Sequence, residues 1–529
     1  MTKQQASLLR YIIAIKQTPR QIYNRHLFLS VVAFALGGCA KGWDEGSAAS
    51  ITQLPSFGRT YDLDSSTTSN LISFVNLGAG VGALLSFLVN DRLGRVWSLR
   101  LYQLLYIAGS LISCFAYGHV GALYVGRIVA GLGIGALTVV GPMTISEIAP
   151  KSSRGLMTLW FNVCMLSSQM IGVFTVYGCS RHVSNTSDLQ NQIPWFMQTF
   201  VPAISIAISF FVVESPRWLL LRNRQQEALN TLERLRGLPL NHGYIAEEYN
   251  GMTAQIEQTD SSYMAVVKDT FLVRSNLRRV QLTIIAYILA QMSGANSITN
   301  YLPTIYGLIG IKGSGIKVYS TGLYALAKVV CCIAASLVLV DVIGRRKSMM
   351  IGVTIQAICH AYLAGYLKSF LSSPDSVDEG ASDAAIAAIF IHALGWAIGL
   401  YTLPYLFGAE LWPTRIRSFG GALSQCFHWL FYFAITKATP SLVANMDQWG
   451  AFVLFAAFCA VAFVYAFFFV PETSGLSLEE IDATFGRPIY QLAWPVREPE
   501  ENVNKNKDTG PEDKERKAKT ESSWIDCVA

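Results

Sequence analysis

The chain has 529 residues, 52% of them hydrophobic and 14% charged, with a mean hydropathy of +0.36. A soluble domain carries about 25% charged residues, so this composition excludes an ordinary soluble enzyme and suits lipid as solvent. The net charge of +6 is small, and its basic residues sit in the gaps between apolar runs, which excludes a nucleic-acid binder.

Residues 1–26 carry Lys3, Arg10, Lys16, Arg20 and Arg25 without a cleavable apolar core and read as a cytoplasmic segment, the first apolar run acting as signal anchor. A membrane helix takes about 20 mostly apolar residues. Runs of that size fall at 27–50, 71–89, 97–117, 121–146, 155–179, 193–213, 279–306, 318–340, 348–368, 384–408, 418–440 and 449–470. The expectation is an all-α membrane protein with twelve transmembrane helices in two six-helix halves, 27–213 and 279–470. Between them, 214–278 shows an amphipathic pattern through Ala228, Leu229, Leu232, Leu235, Ile245, Met252 and Ile256 and reads as a cytoplasmic helical linker. The tail, 471–529, turns polar and Lys/Glu-rich from 487 and is expected to end disordered.

The loops after spans 2, 4, 8 and 10 hold Arg92, Arg95, Lys151, Arg154, Arg345, Arg346, Lys347, Arg415 and Arg417, which places both termini in the cytoplasm. Asn185, in an Asn-Thr-Ser sequon after span 5, then lies outside as a candidate glycosylation site. Cysteines such as Cys114, Cys332 and Cys459 lie within apolar runs and read as small packing residues rather than a disulfide or metal framework.

Charged marks recur in the two halves. Asp91 to Arg95 reappears as Asp341 to Arg346, Glu147 with Arg154 as Glu410 with Arg417, and Glu214 with Arg217 as Glu472. A two-fold repeat implies a carrier that rocks around a site between its halves. Because acids accompany the bases at matched places, these residues are candidate gating groups that tie the halves together on the cytoplasmic side; plain positive-inside anchoring needs only bases.

Span 1 contains Lys41-Gly-Trp-Asp44-Glu45-Gly, and an ionisable group inside a span is a functional hypothesis by default. Lys41 and Glu45 are spaced i, i+4 and can pair on one helix face; alternatively Lys41 sits at the wet end of the span, or faces the cavity and offers a cation to a carboxylate. A polyol site also wants amides, hydroxyls and aromatics, which the run Gln291 to Tyr301 supplies in span 7.

The ordered series of Asp91–Arg95, Gly126-Arg127 followed by Gly131, Gly133 and Gly135, Pro142–Gly155, Glu214-Ser-Pro-Arg-Trp-Leu, Asp341–Arg346 and Pro471-Glu-Thr-Ser-Gly-Leu resembles the sugar porter family of the major facilitator superfamily over residues 27–485. Within it the chain is similar to fungal quinate or sugar-acid permeases. The resemblance implies the major facilitator fold and proton coupling through Asp44 with Arg127. It also implies a substrate site from Asn162, Gln169, Gln291, Asn296, Asn300, Tyr301, Tyr405, His428 and Trp429; Lys41, which like Glu45 departs from the family pattern around Asp44, joins them as a candidate cation. Ala290, Asn300, Tyr405 and His428 depart from the family pattern, and lost hydroxyl partners change specificity. Lys41 and His428 add potential positive charge, although His428 also reads as a neutral core residue.

The expected function is a monomeric proton symporter importing an acidic sugar such as galacturonate, or quinate, at the plasma membrane, with no cofactor or metal. The alternatives are a neutral hexose or pentose symporter and a non-transporting nutrient sensor. No nucleophile–base cluster suggests a membrane enzyme.

Overall fold

A computed structural model describes residues 18–61, 64–150, 152–257, 263–335, 344–373, 378–401, 411–413, 416–472 and 485–486. Tyr405 and Glu410 lie outside the described residues. Span 1 is formed by α1 (Arg25–Ala35) and α2 (Gly37–Ile51), jointed at Leu36. A short α3 (Pro55–Tyr61) leads to α4 (Ser65–Leu93), α5 (Arg95–Cys114), α6 (Val120–Ile148) and α7 (Arg154–His182) at spans 2 to 5, and span 6 is split into α8 (Leu189–Met197) and α9 (Phe200–Ser209). The linker holds α10 (Pro216–Leu221), α11 (Gln225–Arg236), α12 (Gly243–Glu257) and α13 (Tyr263–Leu272). The second half follows with α14 (Arg274–Met292), α15 (Ala295–Leu308), α16 (Ser314–Ala334), α17 (Arg345–Ser372) and α18 (Glu379–Trp396). A π-turn, Ala397–Tyr401, continues α18, before α19 (Arg417–Asn445) and α20 (Trp449–Phe469).

Among the described residues, eight helical stretches are long and apolar enough to cross a membrane, α1 with α2 counting as one. The other four expected runs are helical too, and their shortfall has physical causes. The helix α5 carries Arg100 and Gln103, α19 carries Gln425, His428 and Lys437, and spans 6 and 7 are each split. In span 7 the split sits at Gly294, whose φ of +78° is left-handed; a Cβ there would also meet the Phe455 ring at 2.5 Å. Only glycine fits.

Polarity is arranged inside out. Leu85, Leu104, Val125, Val330, Ile358, Val461 and Phe468 point outward, while Asn76, Asn90, Gln103, Thr138, Gln169, Gln356 and His360 are buried. In water such apolar cover would drive aggregation; hydrocarbon removes the problem. Close helix contact then needs small residues. A Cβ on Gly131 would come 2.2 Å from the Val75 carbonyl oxygen and one on Gly135 1.8 Å from that of Ala79, so α4 and α6 touch backbone to backbone.

The two halves meet along α4 and α19. Ser69 Oγ donates to the Lys437 carbonyl at 3.2 Å near one end, and Phe87 and Phe419 rings stack edge-on 5.1 Å apart near the other. Between these ends, Trp429 Nε1 donates to Thr138 Oγ1 at 3.2 Å. The linker docks on the first half through a fully buried Arg236, which donates to Glu248 at 2.8 and 2.6 Å and to the Ile148 carbonyl at 2.8 Å.

Candidate functional site: a charged cavity between the halves

Three faces of α2 do three jobs. Gly42 and Gly46 lie against α7, where a Cβ would meet the Met165 carbonyl oxygen at 1.7 Å and that of Gln169 at 2.2 Å. Trp43 Nε1 donates to the Pro194 carbonyl on α8 at 3.3 Å. That leaves Lys41, Asp44, Glu45 and Ala48, spaced i, i+3, i+4 and i+7, to face a cavity between the halves.

Asp44 is gripped by both Nη atoms of Arg127, one contact at 3.0 Å. The same guanidinium donates through Nε to the Leu71 carbonyl at 2.9 Å and lies 5.4 Å from the centroid of the Trp195 ring. Both partners are almost fully buried. Removing one member of such a pair leaves an uncompensated charge, which costs about 3–5 kcal/mol.

Lys41 and Glu45 line two adjoining cavities. Lys41 thus faces the cavity, its Nζ 4.7 Å from the centroid of the Trp429 ring. Glu45 Oε1 also reaches beyond its own helix and lies 3.8 Å from Lys328 Nζ on α16, in the other half. Lys328 was absent from the sequence-based site. Its signal was available, since it is an ionisable residue within the apolar run 318–340.

The split in span 7 presents Gln291 and Asn296 together. Asn296 Nδ2 donates to Gln291 Oε1 at 2.6 Å, and Gln291 Nε2 lies 3.3 Å from His428 Nδ1. One turn on, Asn300 donates to Tyr432 Oη at 3.1 Å and Tyr301 Oη to the Thr436 carbonyl at 2.9 Å. Tyr432, which stacks on Trp429 at 5.8 Å, is a further cavity residue missed from sequence. On α7 the cavity wall is Met165 and Leu166. Asn162 is half-buried and Gln169 buried, and neither lines either cavity.

The charged marks of the two halves build matching caps. Gly94 and Gly344 have φ of +89° and +96°, and the helices they precede begin with orphan amides. Glu214 accepts from the backbone amides of Arg95 and Val96 at 2.9 and 3.1 Å, and Glu472 from those of Arg345 and Arg346 at 2.9 and 3.3 Å. Burial pushes the Glu214 carboxyl above its ordinary range, against the amides of Ser215, Arg95 and Val96, which favour its charged form. Arg95 also holds Glu147 through two contacts of 3.1 Å and Asp91 at 3.2 Å, and Arg217 lies within electrostatic reach of Glu147. These contacts join helices of one half. Arg154 is exposed, Arg417 is half-buried and donates to the Trp412 carbonyl at 3.2 Å, and the contacts of Glu410 fall outside the described residues. Asn185 is exposed, its side-chain oxygen accepting from Gln190 at 2.9 Å.

The family model described as Sugar (and other) transporter matches residues 30–485. A probable quinate permease of Aspergillus niger is 30% identical over 495 residues, covering 90% of this chain and 91% of the relative. The quinate permease of Emericella nidulans is 29% identical over 512 residues, covering 93% and 95%. Among solved structures, the proton:xylose symporter XylE bound to 6-bromo-6-deoxy-D-glucose superposes with a TM-score of 0.73 at 20% identity, over 87% of this chain and 99% of that one. A partially occluded inward-open form of the xylose transporter XylE from E. coli gives 0.71 at 19% identity, over 86% and 100%. They share one architecture, that of a major facilitator transporter.

Proposed function

Because the chain belongs to the sugar porter family of the major facilitator superfamily, we propose that it is a proton symporter importing a monosaccharide-sized acid, quinate or galacturonate. It works at the plasma membrane with both termini in the cytoplasm. The observation that carries the coupling is the buried Asp44–Arg127 pair bordering the cavity between the halves. The guanidinium balances the Asp44 charge while the pair is closed, and a bound proton balances it when the pair is open, which spares the site a lone buried charge. Rocking the halves alternates these states, so Asp44 takes up a proton on one side and releases it on the other. The capped clusters around Glu214 and Glu472 keep each half rigid while it moves.

Two features support an acidic substrate: Lys41 at the cavity wall, and quinate permeases among the relatives. A neutral hexose or pentose is the second reading, favoured by the uncharged set of Gln291, Asn296, Asn300 and Tyr432. The test is uptake of labelled quinate, galacturonate, glucose and xylose in a carrier-deficient cell at several external pH values, with surface abundance measured. Acids should enter faster as external pH falls, and Asp44→Asn should abolish that dependence. Uptake blind to pH and unchanged by Asp44→Asn would sink proton coupling.

A further inference from the structure

Lys328 is 2% exposed and surrounded by unusual company for a buried ammonium. Besides Glu45 Oε1 at 3.8 Å, its Nζ has Thr299 Oγ1 at 3.4 Å and the Trp396 ring centroid at 4.8 Å. The Glu45 contact is longer than a hydrogen bond, and it crosses from α2 in the first half to α16 in the second.

Charge around the two cavities does not cancel. Among the described lining residues, Lys41, Arg127 and Lys328 stand against Asp44 and Glu45. Arg127 and Asp44 are committed to each other by a two-pronged contact. Among the described lining residues the remainder is two buried ammonium groups and one half-buried carboxylate. Such a set has an excess positive charge whose desolvation is costly, and one further carboxylate would balance it.

We propose that Lys328 is the anchor for the substrate's carboxylate, and that Glu45 occupies this anchor in the empty carrier as an internal stand-in. This rests on the reading of an acidic substrate and gives that substrate a form: a hydroxylated ring bearing a single carboxylate. On loading, the substrate carboxylate takes the place of Glu45 at Lys328. Glu45 turns to Lys41, four residues back on the same face of α2, a spacing at which opposite charges meet. Three cations then face three anions. The ring hydroxyls lie toward Gln291 and Asn296, which border the same cavity. The exchange also explains how an empty carrier keeps Lys328 compensated, and the contact it breaks is one that joins the halves.

The experiment uses full-length protein in proteoliposomes and paired probes in which an uncharged group replaces the carboxylate: galacturonate with galactose, and quinate with its carboxamide. For each, kcat/KM is measured for wild type, Glu45→Gln and the double variant Glu45→Gln/Lys328→Gln, which removes both members of the Glu45–Lys328 contact together. Glu45→Gln removes the competitor and should lower KM for the acid. Adding Lys328→Gln should reduce the acid-over-neutral preference by about tenfold or more, as loss of a buried charge partner does. Thermal stabilisation of detergent-solubilised protein by quinate, larger in Glu45→Gln and lost in the double variant, reads the same interaction should transport be too weak. A double variant that keeps the acid preference overturns the role of Lys328 while leaving an acidic substrate standing. A wild type that prefers the uncharged probes overturns both.

Discussion

Arg127 can hold Asp44 because the rest of its guanidinium is already anchored, by the Leu71 carbonyl and the Trp195 ring. Structural and coupling roles of the pair are therefore separable. Asp44→Asn should cost about 3–5 kcal/mol by stranding the buried guanidinium, and Asp44→Asn/Arg127→Gln should recover most of it in thermal unfolding. Neither variant should couple to protons; a double variant that still accumulates solute against a gradient contradicts the coupling role. Asp44 and Lys41 were legible in the sequence because a charge in a span has few innocent explanations. Lys328 obeys the same rule but was absorbed into the apolar run around it. The contact of Glu45 with Lys328 was not legible, because spacing reports neighbours on one helix and this contact joins two. Likewise the seven-residue spacing of Asn162 and Gln169 fixes a shared face but not its direction, and the cavity is faced by Met165 and Leu166.

At the scale of elements, glycines decide how closely helices approach. Gly135→Val should lower thermal stability and surface abundance sharply, since even a Cβ would collide with the Ala79 carbonyl oxygen. Gly155, in α7, has nothing within 4 Å of its Cβ position; Gly155→Ala should be neutral or raise stability by up to about 1 kcal/mol. Equal effects of the two would contradict backbone-to-backbone packing of α4 on α6. Helix positions were readable from hydropathy, and the Gly131 to Gly135 series stood out as a motif. Its meaning did not, because the surface that needs those glycines belongs to α4. The same limit applies to Glu214 and Glu472: as charges they suggested ion pairs, and their contacts with backbone amides at helix starts are ones that sequence does not display.

At the scale of the molecule, contacts between the halves near both ends of α4 and α19 frame the cavity. Rocking has to separate one end at a time, and the end at Asn70 and Lys437, whose side chains are hydrogen-bonded, offers a way to arrest it. A disulfide between Asn70→Cys and Lys437→Cys should stop uptake when oxidised and restore it on reduction, and full transport by the cross-linked protein would contradict rocking about this site. The two-half architecture was legible from repeated marks, while the way the halves touch depends on pairs such as Trp429 with Thr138 that no repeat encodes. The most direct test of proton coupling places the purified protein in vesicles with a pH-sensitive dye inside and imposes an inward gradient of the transported solute. The expected result is internal acidification that follows solute entry in wild type and is lost in Asp44→Asn; solute entry by wild type without any proton movement would contradict it.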